Sequence, residues 1–169
     1  YTLEQSYNDH CAATMAKELG SKEDYEAYTQ RSRNWQNLWK PDAKYKEFTG
    51  FICPRNSDGT WVEIDPGQHW ASWVKHFYEA TSYNYSFFVP HDVKGLARLM
   101  GGNKKFVDKL QMVFDEGLYD PANEPDIAYP YLFSRFRGEE WRTQKEVKAL
   151  LDKHYLNAPH GIPGNDDTG

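Results

Sequence analysis

An all-α fold assembled from helical hairpins is predicted by three features of the sequence. Apolar residues recur at helical spacing in segments bounded by cap signals, these segments come in pairs joined by longer polar linkers, and only one stretch reads as paired strands. The first helix is predicted from Thr2, where Thr2-Leu3-Glu4-Gln5 reads as a capping box and Leu3, Tyr7, Cys11, Met15 and Leu19 recur at a constant step before Gly20. Ser21-Lys22-Glu23-Asp24 opens a second helix with a stripe of Tyr25, Tyr28, Ser32, Trp35 and Leu38 or Trp39. Pro41 ends it, so residues 2–40 read as a helical hairpin. Between Phe48 and Val62 the period changes. Phe51-Ile52-Cys53 and Thr60-Trp61-Val62 flank Asn56-Ser57-Asp58-Gly59, which predicts one small β-hairpin or ordered loop near 48–62. After Pro66-Gly67 an aromatic-rich stretch runs to Val89. Helices are then predicted over Val93 to Met100, and after Gly101-Gly102 with Phe106, Val107, Leu110, Val113 and Phe114 forming its apolar face. Two more are predicted, around Pro125 to Phe136 with proline in the first turn, and over Thr143 to Leu156 with Val147, Leu150, Leu151 and His154 inward. The tail after Leu156 reads as loop.

Composition narrows the function classes. The 169 residues suit one ordinary domain or part of a larger one, and 20 Lys and Arg against 25 Asp and Glu leave a net charge of -5 without a dense basic run. Nucleic acid is therefore not an expected partner. Mean hydropathy is -0.87, and no apolar stretch approaches the ~18 residues of a membrane span, so a membrane is not expected either. Aromatic residues make up 16% of the chain on a polar background, which suits a ring-rich core, an interface or a pocket that stacks on sugars. Cys11 and Cys53 have no metal-ligand spacing and read as structural, either as thiols or as one bridge.

Three loop segments concentrate carboxylates beside glycine, proline and aromatic residues. They are Tyr78-Glu79-Ala80-Thr81-Ser82-Tyr83-Asn84-Tyr85, Tyr119-Asp120-Pro121-Ala122-Asn123-Glu124-Pro125-Asp126, and Gly161-Ile162-Pro163-Gly164-Asn165-Asp166-Asp167-Thr168-Gly169. Taken singly, each has a bland explanation: Asn123-Glu124-Pro125 suits a helix N-terminus, and Asn165-Asp166-Asp167 suits a solvated turn.

In order, the segments carry a resemblance. Tyr78-Glu79 with its aromatic and polar run, Phe88-Val89-Pro90-His91-Asp92, Gly101-Gly102, Asn123-Glu124-Pro125, Thr143-Gln144 and Gly161 to Gly169 resemble glycoside hydrolase family 92. Upstream, Thr2-Leu3-Glu4, Arg31-Ser32 and Pro54-Arg55-Asn56-Ser57-Asp58-Gly59 fit the same pattern, so the resemblance spans nearly the whole chain. It implies calcium-dependent, inverting hydrolysis of terminal α-mannosides in mannose-containing glycans. The implied fold is an (α/α)6 barrel packed on an N-terminal β-sandwich domain, and the implied location is secreted or periplasmic. On this reading residues 1–169 are a segment of the catalytic domain, truncated at both ends. Expressed alone, such a piece is expected to aggregate through uncovered apolar faces.

Inversion needs one carboxylic acid for the leaving oxygen and one carboxylate for a water on the opposite face. The resemblance assigns Glu79 as the acid, and the rings of Phe77, Tyr78 and Tyr83 would help keep it protonated. Asp167 is the base, with Asp166 as the close alternative or as a residue that positions the water. Asn123 and Glu124 match the family's metal-binding loop and offer Ca2+ the hard oxygen ligands it prefers. The acid must stand apart from the ion, because direct coordination would lower its pKa. His91 and Asp92 are candidates for contacts to sugar hydroxyls or to the metal's waters, or for a local structural hydrogen bond. Trp61, Trp70 and Trp73 suit either core packing or sugar stacking.

Some neighbours of the catalytic residues depart from the family pattern. Glu79-Ala80-Thr81 stands where Glu-Gly-Asn is common, Tyr83-Asn84-Tyr85 where aromatic-Gln-Tyr is common, and Pro121-Ala122-Asn123 where His-Gly-Asn is common. Linkage preference and substrate breadth are the properties these changes touch. A non-catalytic carbohydrate-binding or helical interaction module is the competing expectation. It would keep calcium and stacking surfaces without turnover, and activity of a Glu79→Gln variant discriminates the two.

Overall fold

The computed structural model describes residues 1–68, 76–78 and 80–163. Among these residues the chain is mostly helical, with one two-stranded antiparallel sheet. Helices α1 (Thr2–Glu18) and α2 (Lys22–Arg31) form the expected hairpin. A 3-10 turn (Asn34–Leu38) leads into strands β1 (Trp39–Tyr45) and β2 (Phe48–Ile52). The short helix α3 (Ser82–Tyr85) follows, then α4 (Val93–Leu99), α5 (Asn103–Asp115), α6 (Tyr129–Leu132) and α7 (Glu140–His154).

Aromatic residues build much of the core. Phe51, Tyr83, Phe87, Phe106, Tyr129 and Phe133 are all almost fully buried. All but Phe133 touch in series, with ring centroids 5.3 Å apart for Phe51–Tyr83, 6.1 Å for Tyr83–Phe87, 5.4 Å for Phe87–Phe106 and 5.7 Å for Phe87–Tyr129. Rings in such tilted and edge-on arrangements add about 0.5–1.5 kcal/mol per pair beyond their area burial. This cluster joins the sheet, α3, α5 and α6 into one interior.

Several boundaries and faces differ from the sequence expectation. The buried residues of α1 are Leu3, Ser6, Asp9, Ala13 and Ala16, whereas Met15 and Leu19 are exposed. A four-residue step advances about 400° around the helix, so a stripe at that spacing drifts by about 40° per step and leaves the core face within a few turns. The face that is buried is small and polar because α2 packs close to it. Arg31 reaches back to the buried Asp9 carboxylate at 3.0 Å and pins the pair.

The second helix stops at Arg31 rather than continuing to Leu38, and the residues beyond it form the 3-10 turn and then a strand. The paired strands consequently lie upstream of the expected position. Trp39 pairs with Ile52 and Tyr45 with Phe48, and an irregularity between Lys40 and Lys44 accommodates Pro41. The tight turn at Asn56–Gly59 does form, with Gly59 at φ 88° and its N–H on the Asn56 carbonyl at 2.9 Å. It closes an ordered loop through a single bridge between Arg55 and Trp61, not a strand pair. The predicted helix from Pro125 to Phe136 is divided into a 3-10 turn (Glu124–Asp126), α6 and a second 3-10 turn (Phe133–Arg135). On α7 the buried residue is Glu146, held by Gln111 Nε2 at 2.9 Å, and Leu151 is exposed. Cys11 and Cys53 are free thiols, the first exposed and the second buried.

Candidate active site

The helix α3 has only four residues, too short to persist on its own propensity. Side chains hold it. Thr81 caps it in a reciprocal box with Asn84, while Ser82 Oγ donates to the Ile52 carbonyl at 2.5 Å and Ser86 Oγ accepts from the Ile52 N–H at 2.9 Å. Tyr83 donates its hydroxyl to the Lys109 carbonyl at 2.8 Å. Just upstream, Tyr85 donates its hydroxyl to the Tyr78 carbonyl at 2.7 Å. The two segments that border Glu79 are thereby fastened to α3 and, through it, to β2. Glu79 itself lies outside the described residues, as do Asp166, Asp167, Trp70 and Trp73.

The loop with Asn123 and Glu124 is stiffened by its own short bonds. Asp120 Oδ1 accepts from the Ala122 N–H at 2.9 Å, and the Asn123 carbonyl accepts from the Asp126 N–H at 3.0 Å. Pro125 sits at the start of the 3-10 turn. Asn123 is 1% exposed, and neither its amide oxygen nor its amide nitrogen has a hydrogen-bond partner among the described residues. Leaving both atoms dry and unpaired is unfavourable by roughly 1–3 kcal/mol each. Glu124, next to it, is exposed. An unpaired buried amide oxygen beside a carboxylate is a donor set that fits a hard cation. Among the described residues no three His, Cys, Asp or Glu side chains gather closely enough to hold a metal by themselves.

A buried polar network ties this loop to α3. Asn84, 0% exposed, donates from Nδ2 to the Asp126 carboxylate and to the Leu118 carbonyl, both at 2.8 Å. The same Asp126 oxygen accepts the Asp120 N–H at 2.9 Å. Burial pushes the Asp126 carboxyl up to about 8, against these bonds, which favour the carboxylate. Neither Asn84 nor Asp126 was singled out from the sequence. The available signal was a polar residue set between Tyr83 and Tyr85, and an acid directly after Glu124-Pro125.

The third carboxylate segment approaches the same place. A cavity of about 500 Å3 is lined by Thr81, Asp120, Pro121, Lys153, His154 and Pro163. Thr81 lies two residues past Glu79, Asp120 and Pro121 lead into Asn123, and Pro163 leads into Asp166 and Asp167. A second cavity, about 640 Å3, opens beside Tyr78 and takes in Thr2, Glu4, Arg55 and Phe77.

His91 and Asp92 point to other work. His91 Nε2 lies 2.9 Å from the Ser32 carbonyl at the end of α2, and its ring packs beside His10 at 5.3 Å, where burial holds its pKa below the usual histidine value. Asp92 caps α4, accepting the Gly95 N–H at 2.9 Å. Both are local bonds of the structural kind. Trp61 is half-buried beneath the Arg55 guanidinium, 4.9 Å from its ring centroid.

Comparison with known proteins fits this arrangement of loops. The model of the glycosyl hydrolase family 92 catalytic domain matches residues 1–169. The chain belongs to that family. It is 35% identical to an uncharacterized secreted glycosidase of Arthroderma benhamiae, over 99% of the chain and 23% of that protein. A family 92 alpha-mannosidase from Bacteroides thetaiotaomicron, solved in complex with mannoimidazole, superposes with a TM-score of 0.83 at 28% identity. That match covers 98% of this chain and 23% of the mannosidase. An inverting family 92 mannosidase from the same species gives a TM-score of 0.82 at 27% identity, over 99% of this chain and 25% of that one. The family 92 chain thus forms part of an (α/α)6 barrel, as the resemblance implies, and spans about a quarter of the length of these relatives.

Proposed function

We propose that this chain belongs to a calcium-dependent glycosidase that removes terminal α-mannose from glycans with inversion. The single observation that carries the reading is the convergence of three separate loops on one cavity, through Thr81, Asp120 with Pro121, and Pro163. Two solved relatives are described as mannosidases, one of them as inverting. In this reading Glu79 gives its proton to the glycosidic oxygen as the bond from the anomeric carbon breaks. Asp167 takes a proton from the water that attacks the opposite face, and Asp166 orients that water. Asn123 and Glu124 would hold Ca2+, which when bound supplies positive charge and orientation for sugar hydroxyls. His91 and Asp92 would contact sugar hydroxyls or the metal's waters, while their local bonds keep the segment after Pro90 seated on α2 and α4. Secretion and a β-sandwich partner domain in the rest of the protein complete the proposal, the former supported by the secreted fungal relative.

The test uses the full-length protein. Glu79→Gln should abolish hydrolysis of an α-mannoside while mannose binding persists, and the first-formed sugar should be the β-anomer by NMR. Chelation should remove activity and added calcium restore it. Equal turnover by wild type and Glu79→Gln would remove Glu79 as the acid, and mannose binding without turnover by wild type would leave only a sugar-binding module.

A further inference from the structure

We propose that Asn84 and Asp126 form the positioning pair of this active site, setting the loop that carries Glu79 against the loop that carries Asn123 and Glu124. The inference rests on the glycosidase reading above. It begins from how completely Asn84 is used. Its amide nitrogen donates twice, to Asp126 and to the Leu118 carbonyl, and its amide oxygen accepts the Thr81 hydroxyl at 2.5 Å. Nearly all the capacity of one amide is committed, so the side chain has one orientation and no spare partner. The three residues it joins belong to separate segments: Thr81 to the stretch after Glu79, Leu118 to the turn that follows α5, and Asp126 to the 3-10 turn that Glu124 opens.

Each end of the pair lies within a few residues of a candidate catalytic or metal-binding group. Thr81 is two residues from Glu79 and is locked to Asn84 in both directions of a capping box. Asp126 closes the 3-10 turn that Asn123 begins, its N–H bonded to the Asn123 carbonyl at 3.0 Å. Removing the bond between Asn84 and Asp126 would leave the Tyr129 hydroxyl on the Asn84 main-chain carbonyl, at 2.5 Å, as a tie at the far end of α3 and would free the Asp120–Asp126 loop to shift against Thr81. A misplacement of about 1 Å at a reacting group can lower turnover about 100-fold. Ring packing alone does not prevent such slippage, because apolar contact has no preferred direction. Neither residue touches the substrate in this proposal. They act through their neighbours.

The test again uses the full-length enzyme with an aryl α-mannoside. Asp126→Asn keeps an oxygen where Asn84 and the Asp120 N–H need one, so kcat should stay within about threefold of wild type. Asp126→Ala removes that acceptor, and kcat should fall 10- to 100-fold while KM moves less than threefold. Asn84→Asp, of equal size, places a second carboxyl opposite Asp126 and the Leu118 carbonyl and should lower kcat in the same way. If the alanine variant does not fold, this substitution and Asp126→Asn still decide the matter. Val113→Ala, in the core of α5, serves as a variant of comparable lost stability whose kcat should be unchanged. If Asp126→Ala keeps full kcat, or if kcat falls equally in Val113→Ala at matched loss of Tm, the pair is merely structural and the proposal is overturned. If Glu79→Gln is as active as wild type, the catalytic reading itself is lost and the positioning role goes with it. A Glu79-dependent enzyme indifferent to Asp126 defeats the positioning role alone.

Discussion

Lys109→Met should stabilise the protein below neutral pH and remove a pH dependence that wild type shows above it. Lys109 lies on α5 yet is only 1% exposed, with its ammonium directed at the Gly50 carbonyl. Its Nζ stands 3.5 Å from the Phe51 ring centroid, 5.2 Å from Trp39 and 6.0 Å from Tyr83. Among the described residues it makes no salt bridge, and the nearby ionisable group of note is the buried Cys53 thiol. Desolvation pushes the amine down from 10.5 to about 7. An unfolded chain keeps the proton up to the higher value, so between the two the unfolded state binds more protons and stability rises with pH. The penalty is full below about pH 7 and fades toward pH 10. At 1.36 kcal/mol per unit the separation sets a ceiling of roughly 5 kcal/mol. Methionine keeps the length and loses the charge, but it strands the Gly50 carbonyl, for about 1–3 kcal/mol, and gives up the ring contacts, for about 1–2. The net gain is then roughly 1–2 kcal/mol at pH 6, and nothing or a loss at pH 9. Calorimetric Tm of the full-length wild type and variant from pH 6 to 10 gives the difference directly. Two parallel Tm curves across that range would show that the fold does not move the Lys109 proton, and the reasoning would fail.

Gly50 has φ 77°, and a Cβ there would fall on the Trp39 ring, so Gly50→Ala should destabilise by more than about 2 kcal/mol in urea titration. Arg31→Ala leaves the Asp9 carboxylate buried with Gln5 as its side-chain hydrogen-bond partner among the described residues, which should lower stability by about 1–3 kcal/mol at pH 7 in the same titration. If the Asn123 amide oxygen is a calcium ligand, calcium should raise the Tm of wild type, and Asn123→Ala should weaken that effect more than 10-fold in calcium concentration. A calcium titration of Tm identical in both would remove Asn123 from the metal loop.

The helical hairpin and α5 were legible in the sequence because each rests on a local pattern. In α5, Phe106, Val107, Leu110 and Val113 share one face and are buried, as their spacing requires. What the pattern could not show is Lys109 within that face, since its stabilising contacts come from β2 and from β1 across the core. The β1 strand was illegible for a related reason. Lys40-Pro41-Asp42 has turn chemistry, and only pairing with the apolar Phe51 and Ile52 converts it into a strand. Of the candidate site, ordered motifs disclosed the loops and their residue types. The buried partnership of Asn84 with Asp126 depends on residues 42 positions apart, which no window along the chain contains.

The two kinds of buried polar group in this core divide its labour. Lys109 is held by one carbonyl and by rings that accept a range of positions, so its burial acts on stability, unfavourably below neutral pH, and its removal need not disturb a loop. Asn84 is satisfied only by directional bonds to three separate segments, and in a dry interior each of these is strong when made and unfavourable when missed. A core built of stacked and tilted rings would permit small rotations of α3 against the Asp120–Asp126 loop. The amide network removes them. The short α3 can therefore be placed accurately despite having too few residues to be a stable helix, because its geometry is imposed from β2 on one side and from Asp126 on the other.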